Sequence, residues 1–243
     1  MLLQALLVTA LGATAEIVCP GNYGGHLQGL ATDEARNIYW SFTVALVKTD
    51  AEGKLLAKVD APTHQGGLCV ANGKLVVAVN LGKFNLEAGN ADSWLYVYDT
   101  ESLALLEKHA VPEVVHGAGG VTWHDGAYAV VGGLPPGHNE NYVYRYRPDF
   151  SFIERRVLQS GYTMMGIQTA CFLDGAYWFG IYGAQRALLR SDADFANVKR
   201  IEIDGSYGIA PWLPGQWLRG KGVKADTPGH HRGAAVVECI PAP

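Results

Sequence analysis

Short apolar runs alternate with tight polar turns along this chain, and the same phrase returns several times. It reads Gly66-Gly67-Leu68-Cys69-Val70-Ala71-Asn72-Gly73-Lys74-Leu75, then Gly119-Gly120-Val121-Thr122-Trp123-His124-Asp125-Gly126-Ala127-Tyr128. It returns as Gln168-Thr169-Ala170-Cys171-Phe172-Leu173-Asp174-Gly175-Ala176-Tyr177, and in weaker form over Gly208 to Trp217. Asn-Gly or Asp-Gly between apolar runs is a hairpin signal, because both turn residues tolerate positive φ. Recurrence every roughly 40 to 53 residues predicts a β-repeat architecture, a propeller of five four-stranded blades.

Within a repeat, strand a precedes the turn and strand b follows it. Strand c is expected over Ala45 to Asp50, Trp94 to Asp99, Tyr142 to Arg147 and Leu188 to Asp192, mostly ending near an Asp. Strand d is expected over Leu55–Val59, Leu103–Val111, Phe152–Leu158 and Val198–Ile203. The fifth repeat has strands a and b, then 233–240 as strand c, and no strand d. Glu16-Ile17-Val18-Cys19 is free to fill that gap, joining the two ends of the chain and covering an open edge. The all-β fold class is therefore a five-bladed propeller closed by N- and C-terminal strands, one domain over 16–243.

The first fifteen residues are apolar and end in Ala13-Thr14-Ala15, a small-x-small pattern that reads as a secretory signal peptide. The stretch is too short to span a bilayer, and no later stretch looks transmembrane. A secreted or periplasmic location follows. Export permits disulfides, and the closure puts Cys19 and Cys239 on neighbouring strands, so a bond between them is expected. Cys69 and Cys171 share one repeat position in non-adjacent blades and are expected as buried free thiols.

With 19 Lys and Arg against 23 Asp and Glu, the formal net charge of −4 argues against nucleic acid as a partner. A small molecule or glycan is the expected ligand, and a monomer the expected state. In a propeller blade the d–a and b–c connections share one face. The b–c connections are long at Asn80 to Ser93, Gly132 to Asn141, Gly180 to Ala187 and Arg219 to Arg232. Long loops on a rigid scaffold are preferred places for function. The d–a connections bring His26, His64, His116 and Gln168 to the same face, with Gln28 and Gln168 in equivalent positions.

His64, His116 and Glu140 are the candidate catalytic groups, as proton donors and acceptors. His26, Gln28, Lys83, Gln168 and Arg186 are the candidate ligand-binding groups. Three imidazoles around a channel also fit a divalent metal, so a metal cofactor stays open beside metal-free catalysis and a structural role. The Lys, Arg and His in the loops favour an anionic group on the ligand. Trp40, Trp94, Trp123, Trp178, Trp212 and Trp217 fall mostly in strand patterns and read as blade packing. There is no nucleophile elbow, phosphate-binding loop or dinucleotide fingerprint.

Through its strand–Asp-Gly–strand phrase, the chain resembles secreted bacterial β-propellers with NHL-type or gluconolactonase-like repeats. For gluconolactonase-like relatives that resemblance implies acidic and Asn ligands around a central divalent metal. The first strand a here opens His26-Leu27-Gln28-Gly29-Leu30, without a Glu, and departs from that set. The expected activity is an exported hydrolase or lyase acting at the channel mouth on a small anionic or carbohydrate-derived substrate. The alternative is a non-catalytic glycan- or protein-binding propeller of the cell envelope.

Overall fold

A computed structural model describes residues 15–184 and 186–241. Among them there is no helix, and the strands form five sheets. Blade one comprises Leu27–Thr32, Ile38–Phe42, Ala45–Thr49 and Leu55–Asp60. Blade two comprises Gln65–Ala71, Lys74–Asn80, Ser93–Asp99 and Leu105–Ala110; blade three, Ala118–His124, Ala127–Gly132, Asn141–Tyr146 and Phe152–Leu158. Blade four comprises Ile167–Leu173, Ala176–Ile181, Ala187–Ser191 and Lys199–Ile201. Blade five has Ile209–Pro211, Gln216–Lys224 and His230–Cys239, and its outer strand is Glu16–Val18 from the other end of the chain. The protein is a five-bladed β-propeller.

The turn chemistry does what the sequence demands. Asn72 and Gly73 have φ of 52° and 72°, Asp125 and Gly126 of 47° and 70°, and Asp174 and Gly175 of 52° and 71°. These are paired left-handed residues, so each two-residue turn follows the twist of its strands. The recurring Asp after the third strand is a turn device. Asp50, Asp99 and Asp192 each accept hydrogen bonds from two backbone N–H groups in the next few residues.

The closure is antiparallel, with Ile17 opposite Ala235 and Val18 opposite Ala234. This register overturns the expected clasp. The Cys19 N–H donates to the Gly233 carbonyl, whereas Cys239 lies opposite Gln216 at the far end of the same strand. Six residues of extended chain amount to roughly 20 Å, far beyond the ~7 Å Cα separation a disulfide tolerates. All four cysteines are free, and Cys69 and Cys171 are buried as expected. Thiol titration of the denatured, unreduced protein is therefore expected to count four thiols; a count of two would contradict this register. The signal peptide expected over 1–15 lies outside the described residues except for Ala15, whose carbonyl accepts the Val237 N–H.

Blade packing absorbs the large aromatics. Trp40, Trp178 and Trp217 are fully buried, and Trp94, Trp123 and Trp212 are partly buried against the core. The inner strands come unusually close at the propeller axis. A Cβ on Gly67 would lie 3.1 Å from the Gln168 carbonyl oxygen, and one on Gly120 would lie 2.9 Å from that same atom. Blade two thus touches blade four across the axis, which divides the channel. One hollow lies at the face of the d–a and b–c connections. A smaller one lies toward the other face and includes Cys69, Cys171 and Phe172.

Candidate functional site

The hollow at the connection face is a pocket of about 230 Å³. His26, Gln28 and His64 enter it from blade one and the start of blade two, and Gln168 from blade four. The end of the second strand of blade two supplies Asn80, and the loop after it Phe84 and Asn85. Met165, Tyr182 and Ser206 close the remaining sides.

Gln28 organises the centre. Its Nε2 donates to His64 Nε2 at 2.7 Å and to Thr43 Oγ1 at 3.2 Å, and it lies 3.5 Å from His26 Nε2. His26 Nδ1 is 2.9 Å from the Leu27 carbonyl, which can only accept. The proton on His26 is therefore at Nδ1, and Nε2 carries the lone pair. His64 has the same tautomer for a different reason: its Nε2 accepts from Gln28, so its proton is at Nδ1. Among the described residues nothing accepts that His64 N–H. The two rings stand 6.4 Å apart between centroids, near perpendicular. Tyr182 lies nearly parallel to His26 at 6.1 Å, and Phe84 is tilted against His64 at 6.3 Å.

Both imidazoles are held below their ordinary pKa. Burial is the first cause for each. For His26 the Leu27 carbonyl pulls the other way, while His231 and Arg186 add positive charge that lowers it further. His64 is lowered second by His26. In the unfolded chain an imidazole titrates near roughly 6.5, so below that pH the unfolded state binds more protons than the folded one. The stability from these two residues is complete above about pH 6.5 and is lost as pH falls through their depressed values. The melting temperature is expected to drop between pH 7.5 and pH 5.5, and to drop less in a His26→Asn/His64→Asn double variant. An equal drop in both proteins would contradict the assignment.

Several expected members stand elsewhere. His116 is buried, but its Nδ1 is 2.8 Å from the Leu86 carbonyl and its ring meets His138 edge-on at 5.4 Å. One residue out of step with His26 and His64, it tucks under the blade-two loop and anchors it. Glu140 accepts from the Tyr142 hydroxyl at 3.2 Å and does not line the pocket. Lys83 is exposed, and its backbone N–H is bonded to the Asn90 carbonyl. Arg186 sits at the rim between the Tyr182 and Tyr207 rings, 5.1 Å from each, and pairs with Asp204 at 3.3 Å. The expected 219–232 loop is instead mainly a long hairpin, which brings His231 to 6.1 Å from His26.

Thr43 and Ser206 carry no titratable group, so nothing in the sequence marks them out from other connection residues. The face rule alone includes both. Met165 was equally silent, being one apolar loop residue among many. Its φ of 64° and that of Asn85, 60°, are left-handed conformations that side chains rarely adopt. Strain of this kind gathers at functional sites.

The donor set does not fit the implied metal. No Asp or Glu lines the pocket, and among the described residues no group of three His, Cys, Asp or Glu is placed to hold an ion. Asn80, the obvious amide ligand, spends both ends: its Nδ2 donates to the Gly82 carbonyl and its Oδ1 accepts the Asp92 N–H.

No family model and no curated protein matches the chain. Solved structures do resemble it. One is a protein of unknown function from Bacteroides caccae, 13% identical, covering 85% of this chain and 82% of that one with a TM-score of 0.50. Another is XC5397 from Xanthomonas campestris, a gluconolactonase, at 12% identity, 94% and 99% coverage and a TM-score of 0.49. A third is the PQQ-bound aldose sugar dehydrogenase of Streptomyces coelicolor, at 10% identity, 93% and 99% coverage and a TM-score of 0.46. At 13% identity the resemblance to the Bacteroides caccae protein is one of fold alone.

Proposed function

We propose that this propeller is an exported, monomeric enzyme of hydrolase or lyase type, acting in the channel-mouth pocket on a small carbohydrate-derived substrate. The observation that carries this is the His26–Gln28–His64 arrangement, with complementary free positions on two neutral imidazoles. His26 Nε2 offers a lone pair and His64 Nδ1 offers a proton. Hydrolysis and elimination both need one proton removed and one delivered to a leaving oxygen: His26 Nε2 takes the first and returns it from its imidazolium, while the neutral His64 Nδ1–H hydrogen-bonds the oxygen on which charge develops. Gln168 Oε1 and Asn85 Nδ2 have no hydrogen-bond partner among the described residues and suit substrate hydroxyls. Arg186, at the rim, is already paired with Asp204, which favours an uncharged sugar over an anion. Export rests on the apolar leader ending in Ala13-Thr14-Ala15.

The test is a substrate panel. Sugar lactones and acylated sugars are followed by acid release at constant pH, and uronic-acid oligosaccharides by the ultraviolet absorbance of an unsaturated product. Turnover of one class, lost in His26→Ala, is the expected result. Sugar binding without turnover would replace the enzyme with a glycan-binding propeller. No binding and no turnover would reject the sugar reading.

A further inference from the structure

The mouth of the pocket is apolar where a sugar site needs no such surface. Leu81, Leu86, Tyr162, Met164 and Met165 are 44%, 42%, 47%, 47% and 40% exposed. They come from two loops. Leu81 and Leu86 flank the segment that gives the pocket Gly82, Phe84 and Asn85, and Met165 is itself a lining residue. The loops meet across one piece of blade three. Asn85 Oδ1 accepts the Leu134 N–H at 3.3 Å, and a Cβ on Gly166 would lie 2.6 Å from the Gly133 carbonyl carbon. Met164 also abuts Gly183, next to Tyr182: a Cβ there would lie 2.9 Å from its sulfur. The exposed apolar side chains therefore border the pocket on neighbouring sides.

The pocket is small. Ligand pockets usually run from roughly 300 to 1,000 Å³, and this one holds about 230 Å³. It has room for one sugar-sized group, and anything attached to that group must lie on the rim. Methionine there suits a variable apolar partner, since its unbranched thioether adapts to different shapes. Exposed apolar side chains gathered beside a polar pocket mark a binding surface.

We propose that the substrate is amphipathic: a single polar, sugar-like head in the pocket, carrying an aryl or acyl substituent that lies across the Leu81, Leu86, Tyr162, Met164 and Met165 rim. The head rests on the function proposed above; the apolar substituent rests on the rim alone. The reacting bond then sits where head and substituent join, at the level of the two histidines.

Apart from Met1, Met164 and Met165 are the methionines of this chain, so carbon-13 methyl labelling reports on the rim directly. The probes are n-hexanol, methyl β-glucoside, and n-octyl β-glucoside below its micelle concentration. Hexanol and the octyl glycoside are expected to shift both rim methyl signals, and the octyl glycoside to bind at least tenfold more tightly than the methyl glycoside. A Leu86→Ser/Met164→Ser variant is expected to lose that tenfold gain and keep its affinity for the methyl glycoside. A hexanol shift without binding of either glycoside supports the rim and overturns the sugar head. Equal affinity for the two glycosides, or methyl signals that neither hexanol nor the octyl glycoside moves, would overturn the apolar substituent.

Discussion

Gly120→Ala is expected to lower the melting temperature by roughly 6–12 °C, from a loss of about 3 kcal/mol in a domain of this size. The added methyl carbon would lie 2.9 Å from both the Gln168 carbonyl oxygen and the Thr169 Cα. Both are backbone atoms of the inner strand of blade four, so no rotamer change relieves the overlap. The strands would have to part at the propeller axis, where blades two, three and four meet. Gly126→Ala is the comparison. Gly126 has φ of 70° with nothing within 4 Å of an added Cβ, so its cost is the conformational one alone, about 1 kcal/mol. Thermal and urea unfolding of the two variants separates crowding from backbone strain. Equal losses would contradict the close approach.

His64→Ala is expected to reduce kcat/KM by at least about 100-fold, the usual scale for removing a hydrogen-bond donor to a developing oxyanion. Stability should change by no more than about 1 kcal/mol, because the ring is half-buried and makes one hydrogen bond, to Gln28. Gln28 keeps its bond to Thr43 in the variant. His116→Ala should behave in the opposite way. It frees the Leu86 carbonyl and loosens the loop that carries Phe84 and Asn85, raising KM while kcat stays within a few-fold. Glu140→Gln should leave both constants within twofold. A large kcat loss in His116→Ala or Glu140→Gln, with His64→Ala active, would move the chemistry from His64 to His116 and Glu140.

The fold was legible because its signals are local. Asn72-Gly73, Asp125-Gly126 and Asp174-Gly175 each specify a turn by backbone conformation, whatever surrounds them. The outer strand missing from blade five and the unmatched Glu16–Val18 strand could be paired on paper. Register could not. Whether Cys19 meets Cys239 depends on where the antiparallel pairing starts, and Val18 opposite Ala234 puts Cys19 near the beginning of that strand and Cys239 at its end.

The site was legible to the same depth. The rule that alternate connections share a face brought His26, Gln28, His64 and Gln168 into one pocket correctly. It could not say which way a loop side chain turns. His116 comes from the same set of connections, yet its ring is taken by the Leu86 carbonyl. Charge was a poor guide for a related reason. Glu140 and Arg186 looked available as isolated letters, and each already has a partner in Tyr142 or Asp204. Uncharged Thr43, Ser206 and Met165 carry no chemical label in a sequence, and only the folded chain puts them around Gln28 and the pocket.

The most direct measurement is a crystal structure with the best-bound sugar lactone or ester of the panel, soaked into the His64→Ala variant to slow turnover. The sugar ring is expected between His26, Tyr182 and Gln168, its scissile oxygen beside the vacated His64 position, and any apolar substituent against Met164 and Leu86. Ligand density instead in the opposite-face hollow around Cys69, Cys171 and Phe172, with the channel mouth unchanged, would contradict this placement.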